Sequence, residues 1–301
     1  MIGVIGWDAR MRNGVLAWEM LDAVDVWFAR RRDDVPAMAD HPKKRNHFTI
    51  EDLKKCSVLI HIEHDYLEER LPDTREIIVA QPESTPAAGM EALALTEYIH
   101  RRLDQRGIEA RMIRFGMRCP HQSPEMRPVV RTIGHYGAAG RRRPRSGTDL
   151  VCEAHHKLPH IELTAIGDDC GLFDHPWHPS AHAVCWSFEN RWAAYRSPTA
   201  DVALQPSRNE TMPLTLIEAA MMGKPLIVTD CPAVDELAPW KRLPAAQTPT
   251  GLETPVNAVA DAMADIYGKP LRDAASETME HAREKWDHRR FIEELRDFLN
   301  P

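Results

Sequence analysis

The chain of 301 residues lacks a Cys-x-x-Cys pair, an excess of positive charge, and any apolar run near the roughly 18 residues that cross a bilayer. Each absence removes a class of protein. Cys56, Cys119, Cys152, Cys170, Cys185 and Cys231 are scattered through a chain large enough to need no staples, so they read as reduced, buried thiols. With no basic–apolar–small leader at the N-terminus either, the expected location is the cytoplasm. A net charge of −7, from 38 basic and 45 acidic residues, excludes a global basic field for nucleic acid but leaves local patches open. Lysine is scarce, with nine against 29 arginines, a bias that genome composition alone would produce. The 43% hydrophobic and 28% charged content is that of a globular protein with a true core.

Short apolar segments alternate with longer amphipathic ones, which predicts an α/β fold with parallel sheets. In the first half, strands are expected at Ile2–Ile5, Ala23–Trp27, Ser57–Ile62, Glu76–Ala80 and Ala110–Phe115. Helices fall at Val15–Leu21, Ile50–Lys55 and Met90–Arg106, the last stopped by Gly107. A proline-bearing stretch, Arg118–Arg127, reads as an interdomain linker. The pattern then restarts, with strands at Val129–Ile133, Ile161–Ile166, Ala183–Trp186, Val202–Gln205 and Leu226–Thr229. Its helices are expected at Asp149–Lys157, Leu214–Met222, Val256–Tyr267 and Asp287–Leu299.

The most informative segment runs from Ala200 to Asp230 and reads as strand, turn, helix, stop, strand. Pro213 suits the first helical turn, where a missing N–H costs least, Gly223 suits a left-handed cap, and Pro225 prevents continuation. Glu210 then lies in the turn before the helix and Glu218 about one turn inside it. A helix start offers unpaired N–H groups and partial positive charge, a natural seat for phosphate. Two carboxylates beside such a seat make sense if they grip neutral hydroxyls of a ligand. Acidic residues also favour this end of a helix for stability alone.

The segment resembles the donor-site signature of retaining GT-B glycosyltransferases, glycosyltransferase family 4 in particular. Pro206-Ser207, Glu210, Glu218-Ala219, Gly223 and Pro225 stand in register with Pro-Ser-x-x-Glu, seven intervening residues, and Glu-Ala-x-x-x-Gly-x-Pro. The resemblance continues through Thr132–Gly137, Arg141–Gly147, Glu162–Gly167 and Lys285–His288, while the first 110 residues match only as a Rossmann-like pattern. It implies an α/β, GT-B fold of two Rossmann-like domains facing across a cleft. Residues 1–128 would form the acceptor domain, 129–284 the donor domain, and 285–301 a helix crossing back to the first. The implied reaction moves a sugar from a nucleoside-diphosphate-sugar donor to an acceptor hydroxyl, with retention and with no metal or other cofactor required. Glu218 would bind the ribose hydroxyls and Glu210 would lie near the transferred sugar. Gly137 and the run Met212, Pro213, Leu214 and Thr215 would line the diphosphate, which Arg141, Arg143 or Arg145 would neutralise as it leaves. The acceptor stays open: a glycan, a lipid, a small metabolite or a hydroxylated DNA base.

Three departures from the family pattern keep other functions in view. Pro213 replaces a glycine, Ala138 an arginine, and the stretch Gly6–Gly14 lacks the usual Gly-Gly loop. A non-catalytic nucleotide-binding protein with a degenerate donor site is one alternative; a GT-B-fold nucleotide-sugar epimerase or hydrolase is the other. On the acceptor side, Asp8, Arg10 and Arg12 follow the first strand, where open α/β sheets place ligands, although Asp8 serves equally as a helix cap. Alternation puts His61 and Glu63 on one face, as a general base or as a satisfied buried histidine. Cys170, His175, His178, His182 and Cys185 are zinc-binding types at spacings of no zinc motif, so the expected metal is none. Trp177, Trp186 and Trp192 read as packing residues.

Overall fold

The computed structural model describes residues 1–8, 12–31, 37–68, 70–120, 126–136, 146–167, 177–185, 191–196, 200–249 and 251–300. The chain forms two compact units, one of Met1–Arg118 with Trp286–Pro301, the other of Cys119–Lys285.

Unit 1 opens with β1 (Ile2–Asp8), α1 (Arg12–Glu19), a 3-10 turn at Met20–Asp22, β2 (Val26–Arg31), β3 (Lys44–Arg45) and α2 (Ile50–Leu53). β4 (Val58–Ile62), β5 (Arg75–Val79), β6 (Glu91–Ala94), α3 (Glu97–Asp104) and β7 (Ala110–Met112) complete it. The strands lie in the order β3-β2-β1-β4-β5-β6-β7 and every pairing is parallel. β4 is buried along its whole length, as a central parallel strand covered on both faces should be. One face packs Ile5, Val26, Phe28, Leu53 and Leu59 into a core edged by Phe48, Tyr66 and Leu67.

Two expectations in this half are corrected. Met90–Arg106 is not one helix: its start is β6, whose Ala92, Leu93 and Ala94 are buried between β5 and β7. Three consecutive buried positions suit a parallel strand covered on both faces. Thr96 then caps α3, its hydroxyl accepting the Ile99 N–H at 3.1 Å. The second strand begins at Val26, three residues later than expected, because Met20–Asp22 extends α1 as a 3-10 turn.

Unit 2 contains β8 (Thr132–Tyr136), α4 (Thr148–Lys157), β9 (Glu162–Gly167), β10 (Ala181–Cys185), α5 (Arg191–Arg196), β11 (Val202–Gln205), α6 (Leu214–Met221) and β12 (Leu226–Thr229). A 3-10 segment at Pro232–Leu237 leads to β13 (Lys241–Leu243), the hairpin β14 (Ala246–Thr248) and β15 (Gly251–Glu253), α7 (Val256–Ile266) and α8 (Arg272–Lys285). Its main sheet, β10-β9-β8-β11-β12-β13, is again wholly parallel. β11 and β12 fall where the sequence predicts them. β8 starts three residues late because the Asp201 carboxylate gathers the N–H groups of Arg131 and Thr132 at 2.7 and 2.8 Å, while Val130 bonds instead to Lys269.

The chain ends in α9 (His288–Leu299), which belongs to unit 1. Phe291 packs on Phe115 with ring centroids 5.4 Å apart, and Arg75 donates to the Phe298 carbonyl at 2.8 Å. No helix among the described residues is long and apolar enough to cross a membrane.

Candidate active site

In an open parallel sheet, ligands bind beyond the carboxyl ends of the strands where the strand order reverses. In unit 2 that point lies between β8 and β11, which end at Tyr136 and Gln205. Gln205 is buried and organises the turn beyond its strand. Its amide nitrogen donates to Ser207 Oγ and to Glu210 Oε1, both at 2.9 Å, and its oxygen accepts from Thr215 Oγ1 at 3.2 Å. Ser207 also donates to Glu210 Oε1, at 2.7 Å. The end of a strand, the turn after it and the first turn of α6 are therefore one hydrogen-bonded piece, with the Glu210 carboxylate held from two sides.

Pro213 is the N-cap of α6 rather than a residue of its first turn, with ψ at 74°. It brings no N–H, and Leu214 turns its own N–H into the Met212 carbonyl at 3.0 Å. That removes two of the four positions at 212–215 from main-chain anion binding. Glu218 lies on the buried face of α6, only 3% exposed, and its Oε2 accepts from the Tyr195 hydroxyl at 2.8 Å. Tyr195 stacks on Tyr136 at 4.9 Å and 19°, which joins the end of β8 to α6 through α5. Gly223 closes the helix in the left-handed region, φ +69°, as the sequence predicts.

The turn carrying Glu210 is braced from outside. Arg208 forms a two-pronged pair with Asp149 of α4 at 2.8 and 2.7 Å. Burial opposes ionisation of Asp149, yet the Arg208 hydrogen bonds hold its carboxyl below the usual range. The hairpin reaches the same turn, Leu252 N–H donating to the Arg208 carbonyl at 2.8 Å. Gly147, at φ +71°, lies so close to the Pro206 carbonyl that any Cβ there would collide with it. Behind these, buried His135 bridges the Leu204 carbonyl and Thr148 Oγ1, each at 2.9 Å, and Ser146 Oγ lies 2.9 Å from Thr148. Since a carbonyl only accepts, His135 is assigned the proton on Nδ1, and Thr148 donates to its Nε2.

The remaining predicted residues divide sharply. Gly137, Arg141, Arg143 and Arg145 lie outside the described residues, as do Arg10, Cys170 and His175. Asp8, Arg12 and Cys185 are described in their backbone alone. His61 is fully buried, its Nδ1 accepting the Tyr66 N–H at 3.4 Å and its Nε2 lying 3.1 Å from Glu76. Burial pushes its pKa down to about 4, Asp65 opposing and Arg70 assisting. Glu63 does not share its face by alternation: β4 stops at Ile62, and Glu63 takes the left-handed region at φ +66°, receiving Gln81 Nε2 at 3.1 Å. His178 is engaged with Ser180 at 2.8 Å, and His182 is exposed on β10. Among the described residues, no group of three or more His, Cys, Asp or Glu is placed to hold a metal. Trp177 packs against the unit 2 core and Trp192 against Tyr195. Burial raises the thiols of Cys56 and Cys231 to about 11 and that of Cys152 to about 12, and all three are free.

Sequence reasoning passed over Gln205, Tyr195 and the Asp149–Arg208 pair. Only Gln205 carried a signal, as a polar residue closing an otherwise apolar strand.

Fold and site together define a doubly wound, two-unit α/β protein with a carboxylate-bearing strand–turn–helix at the switch point of unit 2. Residues 131–269 match the family described as Glycosyl transferases group 1. No curated protein matches the chain by sequence. Among solved structures, a sucrose-phosphate synthase from Thermosynechococcus elongatus superposes with a TM-score of 0.70 at 13% identity, covering 99% of this chain and 98% of its own. HepE of Anabaena, solved with UDP and glucose, gives 0.66 at 11% identity, covering 99% and 98%. TarM of S. aureus, solved with Fondaparinux, alpha-GlcNAc-glycerol and UDP, gives 0.61 at 15% identity over 81% of this chain. This chain spans only 55% of TarM's length. The fold is GT-B.

Proposed function

We propose that the protein is a glycosyltransferase that moves a sugar from a nucleoside-diphosphate-sugar donor to an acceptor hydroxyl, with retention and without a metal. The observation that carries this reading is the braced Glu210 turn and buried Glu218 at the unit 2 switch point, inside the stretch that matches group 1 glycosyl transferases. Glu218, ordered by Tyr195, receives the ribose hydroxyls. Glu210, ordered by Gln205 and Ser207, lies beside the transferred sugar. The main chain at Met212 and Thr215 and one or more of Arg141, Arg143 and Arg145 stabilise the departing diphosphate, so that catalysis is mainly electrostatic preorganisation and positioning. UDP in the structures of TarM and HepE makes uracil the first base to try. Unit 1 supplies the acceptor side.

The test is a thermal-shift series with UDP, GDP, ADP, CDP and dTDP on the wild type and Glu218→Ala. A ligand at about 100 times its dissociation constant stabilises a fold by roughly 2.7 kcal/mol. One nucleotide should do so and lose the effect in the variant; stabilisation by none of them would sink the donor site. The proline at the N-cap of α6 supports a second reading, a nucleotide-binding protein without turnover. It predicts the same nucleotide shift but no release of UDP from any UDP-sugar, with or without acceptor. An epimerase or hydrolase would instead change the donor with no acceptor present.

A further inference from the structure

Unit 1 has its own switch point, between β1 and β4, and the residues gathered beside it are not those the sequence singles out. Trp7 on β1 and Arg30 on β2 are register partners near the carboxyl ends of their strands. Tyr66 arrives from the segment after β4. The Arg30 guanidinium carbon lies 5.8 Å from the Trp7 ring and 5.7 Å from the Tyr66 ring, and the two rings meet edge-on at 6.0 Å. Tyr66 is itself fixed, its hydroxyl donating to the Ile62 carbonyl at 2.9 Å and its N–H to His61.

What distinguishes Arg30 is its setting against two aromatic rings without a short anchor. In the same unit Arg70, Arg75, Arg114 and Arg118 each hold a carboxylate, and Arg45 and Arg106 donate short hydrogen bonds to main-chain carbonyls. Among the described residues Arg30 holds no carboxylate; its hydrogen bond there is a long one, 3.4 Å, to the Tyr66 carbonyl. Its neighbour Arg31 is exposed as well. A guanidinium lying against aromatic rings has its plane fixed and its N–H edges turned to solvent, the preorganised form of a fork that takes oxyanions in two-pronged fashion. An arginine serving only to cover apolar surface needs no such position at a switch point.

We propose that Trp7, Arg30 and Tyr66 form an acceptor subsite for an oxyanion, a phosphate ester or a carboxylate borne by the molecule that receives the sugar. As an acceptor site it rests on the transferase reading, but binding of the anion does not, and the experiment uses that separation. The full chain is titrated with glycerol 1-phosphate, glucuronate, glycerol and glucose while the Trp7 indole N–H resonance, assigned through Trp7→Phe, is followed by NMR. Saturable shifts are expected with one or both anions and with neither neutral compound. A response to glycerol 1-phosphate alone assigns a phosphate ester, and one to glucuronate alone assigns a carboxylate. Arg30→Gln should weaken the binding by about tenfold or more, and Arg30→Lys, which keeps the charge but loses the fork, should recover only part of it. Unmoved Trp7 resonance with both anions, or equal affinity in Arg30→Gln, overturns the proposal. The UDP shift and its loss in Glu218→Ala are measured on the same preparation, so failure of the anion site and failure of the donor site are told apart.

Discussion

At the scale of single residues, the pairing of Glu218 with Tyr195 has a measurable consequence. A hydrogen bond to a charged group contributes about 1.5–3 kcal/mol, and here both partners are buried. Tyr195→Phe keeps the stack on Tyr136 and removes the donor. Its expected effect is a roughly tenfold rise in the dissociation constant for UDP, about 1.4 kcal/mol, together with a lower melting temperature, because a buried carboxylate loses this donor. Isothermal titration checks it; an unchanged or tighter constant would mean that Tyr195 does not order the carboxylate for the ligand. His61 makes a second case, governed by linkage. Its folded pKa, near 4, lies below the 6.5 of an unfolded histidine, so the native state binds the proton less well. The stability is present in full above pH 6.5 and lost as pH falls towards 4, amounting to about 3 kcal/mol. Urea unfolding between pH 7 and 4 should show this acid limb, flattened in His61→Gln. An equal slope in both proteins would locate the acid sensitivity elsewhere.

At the scale of elements, the Glu210 turn is held by groups that contribute little to overall stability. The Arg208–Asp149 pair is partly exposed, and such pairs are worth about 0–1 kcal/mol. Asp149→Asn should therefore leave the melting temperature nearly unchanged while loosening the turn. Donor KM is expected to rise about fivefold, roughly 1 kcal/mol, with a smaller change in kcat. A variant that melts early with donor KM intact would show the pair to be structural. The same scale explains what sequence made legible. β11, α6 and β12 stand where the pattern puts them, because an apolar run, a proline, a glycine stop and a second apolar run are all local signals. β6 is hidden in a helical reading since Leu95, Ile99 and Leu103 recur every four residues and draw the strand before them into one helical stripe. α8 gives no apolar periodicity at all: its buried face is Ala275, Thr278 and Ala282, residues too small or too polar to register as a hydrophobic stripe. The acidic pair of the candidate site is picked out by the resemblance of the motif around it, whereas Tyr195 and Arg208 reach it only through tertiary contacts no local pattern encodes.

At the scale of the whole molecule, the N-terminal unit is completed by the last residues of the chain. Phe291, Ile292, Leu295 and Leu299 of α9 are all buried, and Phe291 packs directly on Phe115. Each such side chain contributes about 1.5–3 kcal/mol by burial. Four together approach the roughly 5–15 kcal/mol net stability of a typical domain. Around them, Asp287 caps α9 by accepting the Arg290 N–H at 2.7 Å, and His288 reaches the Glu19 carbonyl at 3.0 Å. Ending the chain at Lys285 should thus unfold or severely weaken unit 1, while unit 2 keeps its sheet and core. The milder Phe291→Ala should cost unit 1 about 3–5 kcal/mol. Hydrogen exchange separates the two units in one experiment. Protection should fall in β1, β4 and β5 and persist in β8, β11 and β12. Equal loss in both sheets would mean that the units unfold as a single cooperative body, and the stability of the Glu210 turn and of Glu218 would then depend on residues at the far end of the sequence.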